Sequence, residues 1–456
     1  MTAPESRTAA ARSVVDIAPD RPSPARRARL RQAGALRHLL GGELLFANAA
    51  ALVVNTGAVS VLGFVFWVIA ARYHGPAEVG AASALISVLL ILTSVAQVDL
   101  AHVLARFMPV AGLRARGLLI GGYAVSATLA VLVSLVVLIP LQARASWFPD
   151  GGHQLLWLTA TVVAVCIFDL QDGALIGLRK AVWIPVENVT IGLARVGLVA
   201  VLGAMAFDQG IFIAWMLPMA LSVIPINLFL VRRLLARHVA TATRGPSFSV
   251  RTIARFTAGD YLGDLLSLGV RHVMPLLITA QLGVEANGYF YVTWLIGLTF
   301  DGALLAVGAS LTAEGAHDPD RLAQLARGLA RRIALVGLPV IALIIAAAPA
   351  LLTAVGGDYA SEATGLLRLL ALAFVPRALI LLWASIARVE RQVSRIVAMQ
   401  AALAVCIVGL SVPLIGRLGI AGAGWAYLAA QTIVAAALLP RMAFVFRPRP
   451  RHADHR

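Results

Sequence analysis

Asp260-Tyr261-Leu262-Gly263-Asp264-Leu265-Leu266-Ser267-Leu268-Gly269-Val270-Arg271 lies inside an otherwise apolar stretch running from Ile253 to Leu282. Asp260, Asp264, Ser267 and Arg271 recur at spacings of 4, 3 and 4, which puts all four on one face of an α-helix. The stretch is long enough to cross a bilayer, whose apolar core of about 30 Å takes about 20 helical residues. Charges at that depth cost about 2.5–3.5 kcal/mol each on insertion scales, so they face a bundle interior or a wet cavity. A polar stripe of this kind predicts a translocation path, and therefore a transporter.

The composition agrees. The 456 residues are 60% hydrophobic and only 13% charged, where soluble chains carry about 25% charged residues. The net charge of +16 would suggest nucleic acid in a soluble protein; here it sits in loops and tails and reads as a topology signal, so no nucleic-acid partner is expected. Cys166 and Cys406 lie in apolar segments and imply neither disulfide nor metal. There is no G-x-x-x-x-G-K-[ST] and no His/Cys cluster with metal spacing. The chain is therefore expected to be no enzyme, to bind no cofactor or metal and to hydrolyse no ATP. Arg26-Arg27 is not followed by a short apolar stretch with a cleavage site, so an export leader is not expected.

Apolar runs of spanning length fall at about 45–71, 79–104, 117–141, 153–177, 181–206, 210–231, 253–282, 286–312, 331–355, 363–387, 394–416 and 420–446. With the N-terminus inside, 31 of the 38 Lys and Arg residues fall on the cytoplasmic side and 3 (Arg72, Arg144, Arg417) on the other; Arg195, Arg271, Arg368 and Arg377 lie within spans. That asymmetry predicts a cytoplasmic-membrane protein with both termini cytoplasmic. Gly75 and Gly80 recur as Gly283 and Gly288 at an offset of 208, and Trp215 recurs as Trp425 at 210. Each half holds an even number of spans, so the repeat is parallel. The expected fold is an all-α polytopic membrane protein with twelve transmembrane helices in two six-helix lobes. Residues 1–43 form a disordered basic cytoplasmic tail, 44–231 the N-terminal lobe, 232–252 a cytoplasmic linker, 253–446 the C-terminal lobe and 447–456 a second basic tail.

At 1.5 Å per residue Asp264 lies about 16 Å into the seventh span, near mid-bilayer. Arg195, Asp301 and Arg377 are also near the middle, with Arg271 and His272 farther out, and Asn188 is two turns from Arg195 on the same face. Pro376 frees a carbonyl beside Arg377. The candidate substrate-binding residues are Arg195, Arg271, Arg377, His272 and Asn188; the candidate cavity or ion-coupling acids are Asp264, Asp301, Asp260 and Asp169. In one shared water-filled cavity the arginines would outnumber Asp264 and Asp301 and suit a phosphate or pyrophosphate, which Arg binds bidentately. The plainer alternative is that pairs such as Asp264–Arg271 neutralise one another and hold helices together. Asp99, His102 and Arg106 share a face near the cytoplasmic end of the second span and read as interfacial pairing, Asp172 pairs with interface cations, and Trp147, Trp157 and Trp183 read as interface anchors.

Asn55-Thr56-Gly57, Phe64-Val65-Phe66-Trp67 and Ala71-Arg72-Tyr73-His74-Gly75-Pro76-Ala77-Glu78-Val79-Gly80 together resemble the opening helix hairpin of bacterial polysaccharide flippases. These are the O-antigen and teichoic acid exporters of the multidrug/oligosaccharidyl-lipid/polysaccharide superfamily. Gly177-Leu178-Arg179-Lys180 with Pro185-Val186-Glu187-Asn188 is similar to that family's fourth-to-fifth-helix turn. Gly259-Asp260-Tyr261-Leu262, Gly288-Tyr289-Phe290-Tyr291-Val292 and Ala313-Glu314-Gly315 before Asp318-Pro319 resemble its seventh and eighth helices. The resemblance spans about residues 45–440 and adds Asn55 to the candidate substrate-binding residues. The fourteen-helix pattern of the peptidoglycan-precursor flippases is not met.

The resemblance implies two lobes around a cavity and alternating access that moves a polyprenyl-pyrophosphate-linked saccharide outward for cell-surface polysaccharide export, with Arg195 and Arg271 meeting the pyrophosphate. Its implied partners are the lipid-linked saccharide, membrane lipids, a polysaccharide polymerase and glycosyltransferases. Gly57, Gly63, Gly269 and Pro275 are candidate flex points. Two other readings stay open: a cation-coupled multidrug exporter of the same superfamily, whose site would be the central acids, and a non-transporting scaffold of a polysaccharide assembly complex.

Overall fold

The computed structural model describes residues 55–148, 151–242, 250–318 and 321–446; within this set the side chains of 250–260, of several later positions in the seventh and eighth spans, and of 443–446 are outside the description. The two tails expected from the sequence lie outside the described residues, as do the side chains of Asp260, Asp264 and Ser267.

Every long element is a helix, because runs of apolar residues bounded by Gly, Pro and short polar turns satisfy their backbone internally only as helices in hydrocarbon. The N-terminal half comprises α1 (Asn55–Tyr73 among the described residues), α2 (Pro76–Gln97), α3 (Leu100–Phe107), α4 (Ala115–Arg144), α5 (Gly152–Gly177), α6 (Trp183–Ala204), α7 (Gly210–Phe229) and α8 (Ala236–Ala240). The second half comprises α9 (Val250–Leu282), α10 (Val284–His317), α11 (Leu322–Thr353), α12 (Gly357–Val389), α13 (Val393–Leu418) and α14 (Ile420–Phe446). Ten described helices are long and apolar enough to cross a membrane. α9 and α10, of 33 and 34 residues, have the length as well. The chain is a polytopic all-α membrane protein.

The second span is not one helix. Val98 and Asp99 both take left-handed φ, 45° and 56°, and divide it into α2 and α3. A β-branched residue resists that region, so the break is held by its surroundings; the Asp99 carboxylate pairs with His102 Nδ1 one turn on, as the sequence spacing predicts.

The repeat is visible in the starts of the helices. α10 begins 208 residues after α2, and α14 begins 210 after α7, with Trp215 and Trp425 each the sixth residue of its helix. The halves meet through α2, which lies along both α9 and α10. At the end of the molecule that carries the α1–α2 turn, one apolar cluster runs through both halves, from Phe66, Trp67 and Val79 to Tyr291, Leu352 and Tyr359. Trp67 and Tyr291 meet edge-on at 4.7 Å, and Arg72 donates to the Ala354 carbonyl at the end of α11 at 2.7 Å. At the opposite end each half has its own cluster, around Leu104, Met108 and Leu175 in the first and Leu382, Trp383 and Leu438 in the second. There Tyr261 of α9 donates to the Val95 carbonyl of α2 at 3.1 Å.

Pro349 shows how backbone polarity is handled. Pro349 has no N–H for the Ile345 carbonyl one turn earlier, and Arg368 of α12 supplies the donor at 3.1 Å. Arg368 thus serves the fold.

Candidate functional site

Three ionised side chains from three helices converge in the second half. Asp301 of α10 is buried, 5% exposed. Arg377 of α12 grips it with both ends of the fork, Nε to Oδ1 at 2.7 Å and Nη2 to Oδ2 at 3.2 Å. Arg271 of α9 adds one bond, Nη2 to Oδ2 at 2.9 Å, and its side chain keeps 33% of its surface. The carboxylate cancels one guanidinium, so the cluster carries one net positive charge. Arg388, three turns along α12 from Arg377, lines the same space.

That space is a cavity of about 250 Å³ between α9, α10, α12, α13 and α14. Trp294, Gln400, Tyr427 and Gln431 also face it. Among the described residues, Trp294 Nε1 and Gln431 Oε1 are buried without a hydrogen-bond partner. Buried polar atoms are nearly always satisfied, so this wall has hydrogen bonds to offer a guest. A phosphate or carboxylate entering here would meet Arg271, the more loosely held cation, while Arg377 stays anchored by its bidentate pair.

The remaining candidates lie elsewhere. Arg195 does not share this chamber: on α6 its Nε donates to the Trp215 carbonyl at 2.7 Å and its guanidinium stacks 4.5 Å over the Trp215 ring on α7. Distance along a helix reports depth in the membrane but says nothing of which neighbour a side chain turns to, so three arginines at similar depth divide between two lobes. Asn188 donates to Asn55 Oδ1 at 3.1 Å, joining α6 to α1. His272 is not among the residues lining the arginine cavity. The expected surplus of free cations is also smaller, because Asp301 engages both Arg271 and Arg377.

The first half holds a second polar network of opposite sign. Asp169 accepts from Gln97 Nε2. Gln171 donates to Glu187 Oε1 at 2.5 Å and accepts from Asn227 Nδ2 at 2.7 Å, while Tyr123 donates to Asn227 Oδ1 at 2.6 Å. Asp172 Oδ1 and Glu187 Oε2 are buried without a hydrogen bond among the described residues. Sequence reasoning singled out Asp169 but missed Tyr123, Gln171 and Asn227. The available signal was that Gln171 and Asn227 are amide side chains inside spanning segments, where each needs a partner.

No family profile and no curated protein sequence matches this chain. Solved structures do. An inward-facing multidrug resistance MATE transporter of the MOP superfamily, at 16% identity, superposes with a TM-score of 0.66 over 86% of this chain and 96% of its own. An outward-facing MATE transporter of that superfamily, at 14% identity, gives 0.56 over 89% and 96%. A MOP transporter from Pyrococcus furiosus described as having a binding pocket of reversed polarity, at 13% identity, gives 0.57 over 89% and 96%. The chain has the two-lobed fold of the MOP superfamily transporters.

Proposed function

We propose that this chain is an alternating-access transporter that moves an anionic lipid-linked saccharide, a polyprenyl-pyrophosphate cargo, across the cytoplasmic membrane. The observation that carries the reading is the Arg271–Asp301–Arg377 cluster in a cavity with unused polar atoms. A net positive charge taken out of water favours an anion, and Arg271 can exchange its single bond to Asp301 for a phosphate oxygen without unseating Arg377. The saccharide would follow the head group while the lipid tail stays in the bilayer. The positive-inside assignment puts the joined end of the two lobes outside, and the better superposition on the inward-facing relative supports the same arrangement.

The test is translocation in proteoliposomes of a fluorescent short-chain polyprenyl-pyrophosphate saccharide, read by quencher accessibility. Wild-type protein should expose the probe on both faces, and Arg271→Gln should slow this at least about tenfold with unchanged folding. Equal rates would overturn the assignment.

A second reading has its own support. Asp169 and Glu187 accept from the neutral amides of Gln97 and Gln171, and Asp172 Oδ1 and Glu187 Oε2 are buried without a hydrogen bond among the described residues, which suits a cation-coupled exporter of organic cations. Uptake of an organic cation that is lost in Asp172→Asn and Glu187→Gln, but survives Arg271→Gln, would favour it.

A further inference from the structure

The inner-end halves of α10, α11 and α12 enclose a cleft of about 980 Å³, separate from the arginine cavity. Its lining is graded. The polar residues Ser310, Glu314, Arg321, Gln324 and Arg332 all sit towards the α10–α11 turn. Beyond them the α11 wall from Ile333 to Ile344 and the α12 wall from Phe374 to Leu382 are apolar throughout. Arg332 to Ile344 spans about 18 Å of helix, close to the depth of one leaflet, half of a core of about 30 Å.

The charges are placed to match. Arg321 and Arg332 are eleven residues apart, three turns, and with Leu325 and Gly328 form one stripe facing the cleft. Arg321 is paired with Asp318 at 4.0 Å, which leaves Arg332 as the available cation of the stripe. Among the described residues Arg332 has no hydrogen bond or ion pair, and it stands where the apolar part of α11 begins. The wall also contains two glycines with room beside them: a Cβ on Gly328 would meet no atom within 4 Å, and one on Gly337 only Ile333 Cγ2 at 3.7 Å. Glycine inside a helix is unfavourable; at these two positions what it leaves is room.

We infer that this cleft binds an anionic phospholipid from the leaflet at the arginine-rich end, with one acyl chain along Ile333–Ile344 and the phosphate at Arg332. An amphipathic guest is required because neither end of the cleft suits the other end's chemistry, and a basic mouth at head-group level selects negative lipids. The inference is independent of the cargo taken at Arg271.

Native mass spectrometry of the full-length protein, offered equal phosphatidylglycerol and phosphatidylcholine of identical chains, tests it. Phosphatidylglycerol should be retained in preference, and Arg332→Gln should reduce that preference about fivefold. Gly337→Leu, whose Cβ would meet only Ile333 Cγ2 at 3.7 Å, should abolish retention of both lipids; Gly328→Leu on the same wall is the second variant if the first fails to fold. Undiminished retention in the folded leucine variants, an unchanged head-group preference in Arg332→Gln, or competition by soluble glycerol phosphate without chains would each overturn the proposal.

Discussion

Gly80 of α2 and Gly288 of α10 face each other across the junction of the two lobes, each against the residue one turn before the other. A Cβ on Gly80 would come 1.7 Å from the Val284 carbonyl oxygen, and one on Gly288 would come 2.0 Å from that of Pro76. Pro76 and Val284 are themselves 208 residues apart, like the two glycines. The contact is thus isologous within one chain, the same patch used twice about a pseudo-two-fold axis. The repeat recognisable as recurring glycines is the place where the halves touch.

That contact is the seal of one face, so a methyl group should pry it open. With ordinary carbon contacts at about 3.5–4.0 Å, Gly80→Ala requires α2 and α10 to separate by roughly 2 Å. Spin labels at Tyr73→Cys and Thr353→Cys, in a background with Cys166 and Cys406 replaced by Ala, should read a longer distance in Gly80→Ala than in its parent. Gly57→Ala, where a Cβ meets nothing within 4 Å, should leave the distance unchanged.

Asn287 stitches the same junction. It is fully buried and donates to the Gly80 carbonyl at 2.8 Å and to Ser83 Oγ at 3.0 Å. Asn287→Ala should cost about 1–3 kcal/mol, by removing both of its hydrogen bonds across the buried junction. Thermal unfolding checks the magnitude, and the same spin-label pair checks whether the loss also loosens the seal.

The arginines around Asp301 should separate by role. Arg377→Gln leaves a buried carboxylate short of its bidentate partner and should destabilise the protein by about 3–5 kcal/mol. Arg271→Gln removes a partly exposed, singly bonded partner, so its stability cost should be much smaller while transport suffers. Chemical denaturation and proteoliposome transport, measured on both variants, distinguish the two; an equal stability loss would contradict the assignment.

Arg195 is expected to be structural. Arg195→Lys loses the planar stack on Trp215 and should lower stability by about 0.5–2 kcal/mol, with cargo preference unchanged. A folded Arg195→Lys protein with altered cargo preference would mean that the binding path extends into the first lobe.

The glycines proposed as flex points teach a related lesson. Gly57, Gly63 and Gly269 have open space where a Cβ would go, whereas Gly80 and Gly288, read only as markers of a repeat, are in the closest backbone contact. Glycine in a sequence states that a side chain is absent; whether that absence admits motion or a neighbouring helix depends on what packs there. The break at Val98–Asp99 was illegible for a similar reason, since no Gly or Pro stands there to announce a left-handed backbone and Val98 resists it.

Spanning length, the sidedness of arginine and the internal offset are properties of single segments set by bilayer thickness and charge. From them an all-α polytopic chain with a recurring offset could be read, and ten of the described helices have the length and apolarity to cross a membrane. Which ionised groups meet was decided only by tertiary packing. Helix rotation and lobe position, not depth, bring Arg271 and Arg377 onto Asp301 and send Arg195 to Trp215.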